Sequence, residues 1–196
     1  ERYESAFREV YGRQYEELRK AMDASPIPFL PVIGNHDCLT GSGNDRGYWR
    51  RHLGPDYWSH DAGRFHIVAL NTIGSPRRQA EWLRRDLERA AGGRPVIAAM
   101  HYPPGLRDME RYSRLGIRHV LSGHWHSSKV SAHSNVLSVN TATFLMGGID
   151  LSPAGYRAVN VSGRELRHVS HMLGARRVSA IVTPGGPLLP GPGGDL

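Results

Sequence analysis

The chain has 196 residues, 39% of them hydrophobic, and 25 Lys and Arg against 18 Asp and Glu give a net charge of +7. That length suits one α/β domain with a packed core. A single cysteine, Cys38, excludes an internal disulfide and a thiolate zinc ribbon, and no stretch approaches the roughly 20 apolar residues of a membrane span. Lys20 and Lys129 are the only lysines, so the basicity is almost all arginine. The arginines are scattered and form no compact run, which reads as a solvated surface rather than a nucleic-acid footprint.

In chain order, "YESAFREVYGRQYEELRKAMDAS" predicts a helix from the spacing of Tyr3, Phe7, Val10, Tyr15, Leu18 and Met22, ended by Ser25 and Pro26. "IPFLPVIGNHD" reads as a short buried strand, irregular because of its prolines, running into a glycine turn. A polar loop, "CLTGSGNDRG", precedes a helical turn at "YWRRHLG". "DYWSHDAGRFHIVALNT" predicts a hairpin turning at Asp61 to Gly63. "SPRRQAEWLRRDLERAAGG" is the strongest helix. Ser75 would cap it, Pro76 would open it, and Gly92 would close it, with Ala80, Leu83, Leu87 and Ala91 facing inward. Then come a strand ending at His101, a short helix at "RDMERYSRLGI", a strand entering "GHWH", and strands at "NVLSVNTATF" and "GYRAVNVSGRELRHVSHM", the last hinged at Ser162 and Gly163. The Gly/Pro-rich segment 175–196 reads as a linker or the start of a further domain. Strands alternating with helices, then antiparallel strands, predict a layered α/β fold.

Three loops carry polar residues of one kind, each expected directly after an apolar strand: "GNHD" (Gly34 to Asp37), "MHYPP" around His101, and "GHWH" (Gly123 to His126). In open α/β sheets ligands bind at the carboxyl ends of strands. If these strands are neighbours, Asn35, His36, His101, His124 and His126 converge. Extended residues at i and i+2 face one side, so His124 and His126 would share a pocket while Trp125 packs away from it. Amide oxygen with imidazole nitrogen suits Zn, Mn or Fe rather than Ca. Each signal has a plainer reading: an HxH pair is often incidental, a lone histidine is often a hydrogen-bonded core residue, and GNHD is also turn chemistry. It is the joint pattern that points to metal chemistry.

"GNHD", a lone histidine after a strand, then "GHWH" resembles the calcineurin-like metallophosphoesterases, whose later motifs are GNH[DE], H and GHxH. "YWSHDAGRFHIVALNT" followed by "QAEWLRRDLERA" is similar to the purple-acid-phosphatase-like and cyclic-nucleotide-phosphodiesterase-like branches. The resemblance implies a two-sheet β-sandwich flanked by helices, an α/β/β/α arrangement, over residues 1–174. It also implies two metal ions, Mn, Zn or Fe, about 3.5–4 Å apart. Asn35, His101 and His124 would bind one metal and His126 the other. A metal-bound hydroxide would attack the phosphorus of a phosphate mono- or diester. His36 would stabilise charge or protonate the leaving oxygen, and Asp37 would orient His36.

The family's two earlier motifs, DxH and GDxx[DNY], do not occur ahead of Gly34. The expectation is a chain lacking its first strands, whose 196 residues alone bind metal weakly and hydrolyse little. Two other classes are weighed: a non-catalytic scaffold with a relic metal site, and a nuclease. The intact motif residues count against the first, and the scattered arginines against the second. His52, His60, His66, His119, His133, His168 and His171 read as surface or packing residues. Trp58, Trp82 and Trp125 read as core. Residues 39–47 are a candidate substrate loop, with Arg46 a solvated arginine. Compartment, oligomeric state and substrate identity are not legible.

Overall fold

Three prolines decide the first departure from expectation. Pro26, Pro28 and Pro31 remove backbone donors from the segment leading to Gly34, and a residue without an N–H cannot sustain a ladder. In the computed structural model this segment is irregular extended chain, not a strand, with Ile27, Phe29 and Leu30 exposed and only Ile33 buried. The structure describes residues 2–38, 46–74, 77–90, 92–162, 165–174, 182–183 and 186–187. The core of the expected substrate loop (39–45), the Ser75–Pro76 helix start, Ala91, Gly163 and most of the 175–196 tail lie outside them. Among the described residues no helix is long and apolar enough to cross a membrane.

The chain is a mixed α/β protein that divides into two compact units, Glu1–Tyr102 and Pro103–Leu196. The first unit opens with α1 (Arg2–Ala24), followed by the 3-10 turn Asn35–Asp37 and the short α2 (Gly47–His52). The predicted hairpin is β1 (Trp58–Ala62) with β2 (Phe65–Leu70), antiparallel, and Gly63 turns at φ 58°. Helix α3 (Arg77–Ala90) leads to β3 (Val96–Met100), which runs parallel to β2 with Leu70 opposite Met100. The strand order in this unit is β1-β2-β3. Val68, Ala69, Leu70, Val96, Ile97 and Ala98 are all buried, the near-continuous apolar run expected where a parallel pair is covered on both faces. A second cluster joins Tyr15 of α1, Ile33, Cys38, Trp49 of α2 and Ile73, with Tyr102 packed against it.

In the second unit, α4 (Leu106–Arg114) buries Met109 and Tyr112. Strand β4 (Ile117–Ser122) runs parallel to β6 (Val136–Asn140). Between them in sequence, but at the edge beyond β6, is β5 (Lys129–His133), which the sequence pattern does not announce: Val130 is exposed and the alternation is weak. A two-residue turn makes its pairing with β6, because Ser134 and Asn135 both adopt positive φ (50° and 62°), the twist a tight hairpin needs. The order in this unit is β4-β6-β5, and β7 (Gly155–Ser162) pairs antiparallel with β8 (Glu165–Met172) in a sheet of their own. Two short strands in the tail, β9 (Val182–Thr183) and β10 (Gly186–Pro187), also pair antiparallel.

Buried carboxylates hold the first unit together. On α3, Leu83 is buried as predicted, but Ala80 is exposed and the other buried position is Asp86. Asp86 lies 2.8 Å from Nε2 of His66, a residue only 2% exposed, and accepts from Ser59 Oγ at 2.9 Å. The other ring nitrogen of His66 meets Asp61 at 2.7 Å. Burial opposes charge on His66, but the two carboxylates outweigh it and raise its pKa above the usual histidine value. Arg46, read as a solvated loop residue, is mostly buried and pairs with Asp56. Asp56 also accepts from Arg50 Nε at 3.1 Å and from Asn71 Nδ2 at 2.8 Å. Burial pushes this carboxyl up, yet the bonds from Arg46, Asn71 and Arg50 prevail and its pKa is lowered.

Asp56→Ala is expected to cost about 3 kcal/mol in urea unfolding, because it strands buried donors. For His66 the sign follows from the raised pKa. Its charged form contributes stability that is fully present below about pH 6.5 and is lost as pH rises through the higher folded value. The stability gap between wild type and His66→Gln is therefore expected to be larger at about pH 5.5 than at about pH 8.5, measured by denaturant unfolding at both.

Candidate functional site

The GNHD turn is closed by its own last residue. Gly34 enters extended (φ −116°, ψ 174°), and Asp37 N–H returns to Gly34 C=O at 3.1 Å. Asp37 Oδ2 accepts from Gly34 N–H at 2.7 Å, and Oδ1 accepts from the Tyr15 hydroxyl at 3.0 Å. Helix α1 thus fixes the turn through one phenol. Burial pushes the Asp37 carboxyl up, only partly offset by the Gly34 N–H, the Tyr15 hydroxyl and the charge of His36. Burial, and then the field of Asp37, also raise the Tyr15 pKa far above its usual value. The expected Asp37 to His36 hydrogen bond is not among the contacts of this carboxylate, which is spent on closing the turn; His36 itself is exposed.

Asn35 and His101 meet across 66 residues: His101 Nε2 lies 2.6 Å from Asn35 Oδ1. An amide oxygen only accepts, so Nε2 carries the proton in this contact. His101 follows β3 directly, and the next residue is tied down by Tyr102 N–H donating to Thr72 Oγ1 at 3.0 Å. Gly34 keeps this approach open. A Cβ at position 34 would stand 3.0 Å from His101 Nδ1 and 3.1 Å from its Cε1. The donor types, one amide oxygen and one imidazole nitrogen, fit a borderline metal, which would take the place of the Nε2 proton.

The GHWH loop departs from the expected extended alternation. Trp125 N–H donates to Gly123 C=O at 2.7 Å, a three-residue turn with His124 at its centre. His124 has φ 65° and His126 φ 44°, the left-handed region that non-glycine residues rarely enter. Such strain costs on the order of 1 kcal/mol per residue and tends to mark functional sites. Gly123 has open space where its Cβ would be. Trp125 does not pack in the core: it is 56% exposed, its ring edge-on to His124 at 5.6 Å.

A second segment braces this loop, and no local sequence signal announced it. Ile149 N–H donates to His126 C=O at 2.6 Å, and Asp150 Oδ2 accepts from Ser128 N–H at 2.9 Å. Gly148 is forced, because a Cβ there would lie 2.5 Å from His126 O. Asn140, at the end of β6, donates to Ser127 C=O at 2.7 Å.

Asn35, His36, Asp37 and His101 therefore belong to the first unit, and His124 and His126 to the second. Among the described residues, no three His, Cys, Asp or Glu side chains form a metal-binding group. The structure brings together Asn35 with His101, and Asp37 with Tyr15 and Gly34. The remaining histidines are structural or peripheral: His66 is clamped by Asp61 and Asp86, and His52 stacks on Tyr15 at 5.5 Å.

No match was found among curated proteins. Among solved structures, that of Vacuolar Protein Sorting 29 from Cryptosporidium parvum is similar at 13% identity and a TM-score of 0.37, over 80% of this chain and 75% of that one. The sequence profile of the calcineurin-like phosphoesterases matches residues 3–128. That span exceeds half the chain and takes in the GNHD turn, His101 and the GHWH loop, so the chain belongs to the calcineurin-like phosphoesterase family.

Proposed function

We propose that this protein hydrolyses a phosphate mono- or diester with two bound metal ions, Mn, Zn or Fe, in the manner of the purple-acid-phosphatase-like and phosphodiesterase-like branches. The observation that carries this reading is the 2.6 Å approach of Asn35 Oδ1 to His101 Nε2, two metal-type donors from distant parts of the chain beside a locked turn. Asn35, His101 and His124 would hold one ion and His126 the other. Metal ions so held supply a water of lowered pKa and a clamp on the phosphoryl oxygens. His36, exposed at the apex of the turn, is the group free to give a proton to the leaving oxygen. Asp37 serves by holding the turn that presents Asn35 and His36, and Tyr15 holds Asp37 in place.

In a protein that carries the DxH and GDxx[DNY] motifs ahead of these residues, with 4-nitrophenyl phosphate and added Mn, chelation is expected to abolish turnover and Mn to restore it, while the 196 residues alone are expected to turn over little. His101→Ala and Asn35→Ala should each lower kcat/KM by roughly a hundredfold or more. Hydrolysis that survives the chelator, or is untouched in His101→Ala, would sink the reading. The two glycines give a sharper contrast. Gly34→Ala pushes on His101 and is expected to lower turnover at least several-fold with the fold intact, whereas Gly123→Ala meets open space and should lose much less. Circular dichroism with steady-state kinetics on both variants checks it.

A further inference from the structure

The second unit holds an open cleft of about 430 Å³ that the metal chemistry does not use. Its apolar lining is the exposed indole of Trp125 with Pro103, Pro104 and Ile149. Its polar lining includes Lys129 and Ser131, two residues apart on β5. Ile149 is 77% exposed yet fixed in place, because its N–H is bonded to His126 C=O. The Trp125 backbone is fixed too, in the turn centred on His124. A solvent-facing indole between two histidines of the proposed catalytic loop is a costly way to expose apolar surface, since its large apolar face loses burial there. Lys129 is exposed and makes no ion pair among the described residues.

We infer that this cleft receives the organic group of the phosphoester, and that this group is a planar aromatic ring with polar substituents. Its face would stack on Trp125 against the proline and isoleucine wall, and its polar edge would meet Lys129 and Ser131. A flat ring matches the indole better than an alkyl chain, because stacked aromatic pairs gain about 0.5–1.5 kcal/mol beyond the area they bury. The cleft holds more than a single phenyl ring, so a fused ring or a ring with substituents fits. This inference rests on the phosphoesterase reading, which it deepens by naming a substrate class.

The test uses the full chain with Mn and two esters, 4-nitrophenyl phosphate and glycerol 2-phosphate. Trp125→Ala should raise KM for the aryl ester about tenfold more than it raises KM for glycerol phosphate. Ile149→Ala, at an exposed position, should shift the aryl KM in the same direction by about threefold. Equal losses on both esters, or none on either, would overturn the assignment and reduce Trp125 to a part of the loop's shape. A binding arm separates this from failure of the phosphoesterase reading. By calorimetry, phenylphosphonate should bind wild type more tightly than methylphosphonate, and Trp125→Ala should erase the difference. If a protein that carries the DxH and GDxx[DNY] motifs ahead of these residues turns over neither ester, the hydrolase reading fails, and the phosphonate preference alone then decides the cleft: its presence supports the assignment and its absence overturns it.

Discussion

The Tyr15 hydroxyl on the Asp37 carboxylate is the contact from which the first half of the site is built. A long helix is a stiff element, and one phenol on it reaches the last residue of a four-residue turn. The other oxygen of the same carboxylate closes that turn on Gly34. With the turn fixed, Asn35 faces His101, and the absent Cβ of Gly34 leaves room for the imidazole. Each step relies on the one before it. Desolvation of Asp37 is what the arrangement must overcome, and the phenol and the backbone N–H are what make a buried acid tolerable there.

The same device recurs in the first unit. An arginine-rich chain has few carboxylates, and several of them are placed where one acid satisfies several donors. Asp56 gathers Arg46, Arg50 and Asn71, and Asp86 gathers His66 and Ser59. These clusters link segments far apart in the chain without requiring more apolar surface. Their worth is less in net energy than in fixing one arrangement, since a buried acid with no partner is strongly unfavourable.

Much of the fold was legible. The β1–β2 hairpin, α3, β3, α4, β4, β6 and the β7–β8 pair all follow from periodicity and turn residues, and Gly92 does adopt the left-handed conformation beyond α3. The misses have physical causes. The segment before Gly34 has the hydrophobicity of a strand, but its prolines cannot pair. Strand β5 lacks an apolar face and exists because the Ser134–Asn135 turn folds it onto β6. Asp86 sits on the inner face of α3 because His66 awaits it, which no pattern on the helix reveals. At the site, the motifs named candidate residues but not their geometry. Alternation assumes extended backbone, and the GHWH loop is a tight turn, so Trp125 came out into solvent. The supports from Tyr15, Gly148 and Asp150 lie 22 residues from their partners and could not be read locally.

The left-handed backbone at His124 and His126 has one more implication, for anyone seeking to make this protein hardier. Glycine relaxes at those angles and an imidazole does not. A screen for thermal robustness alone would favour glycine at both positions and remove two of the motif's histidines in doing so. On the proposed reading, this loop is a place where durability and chemistry select opposite residues.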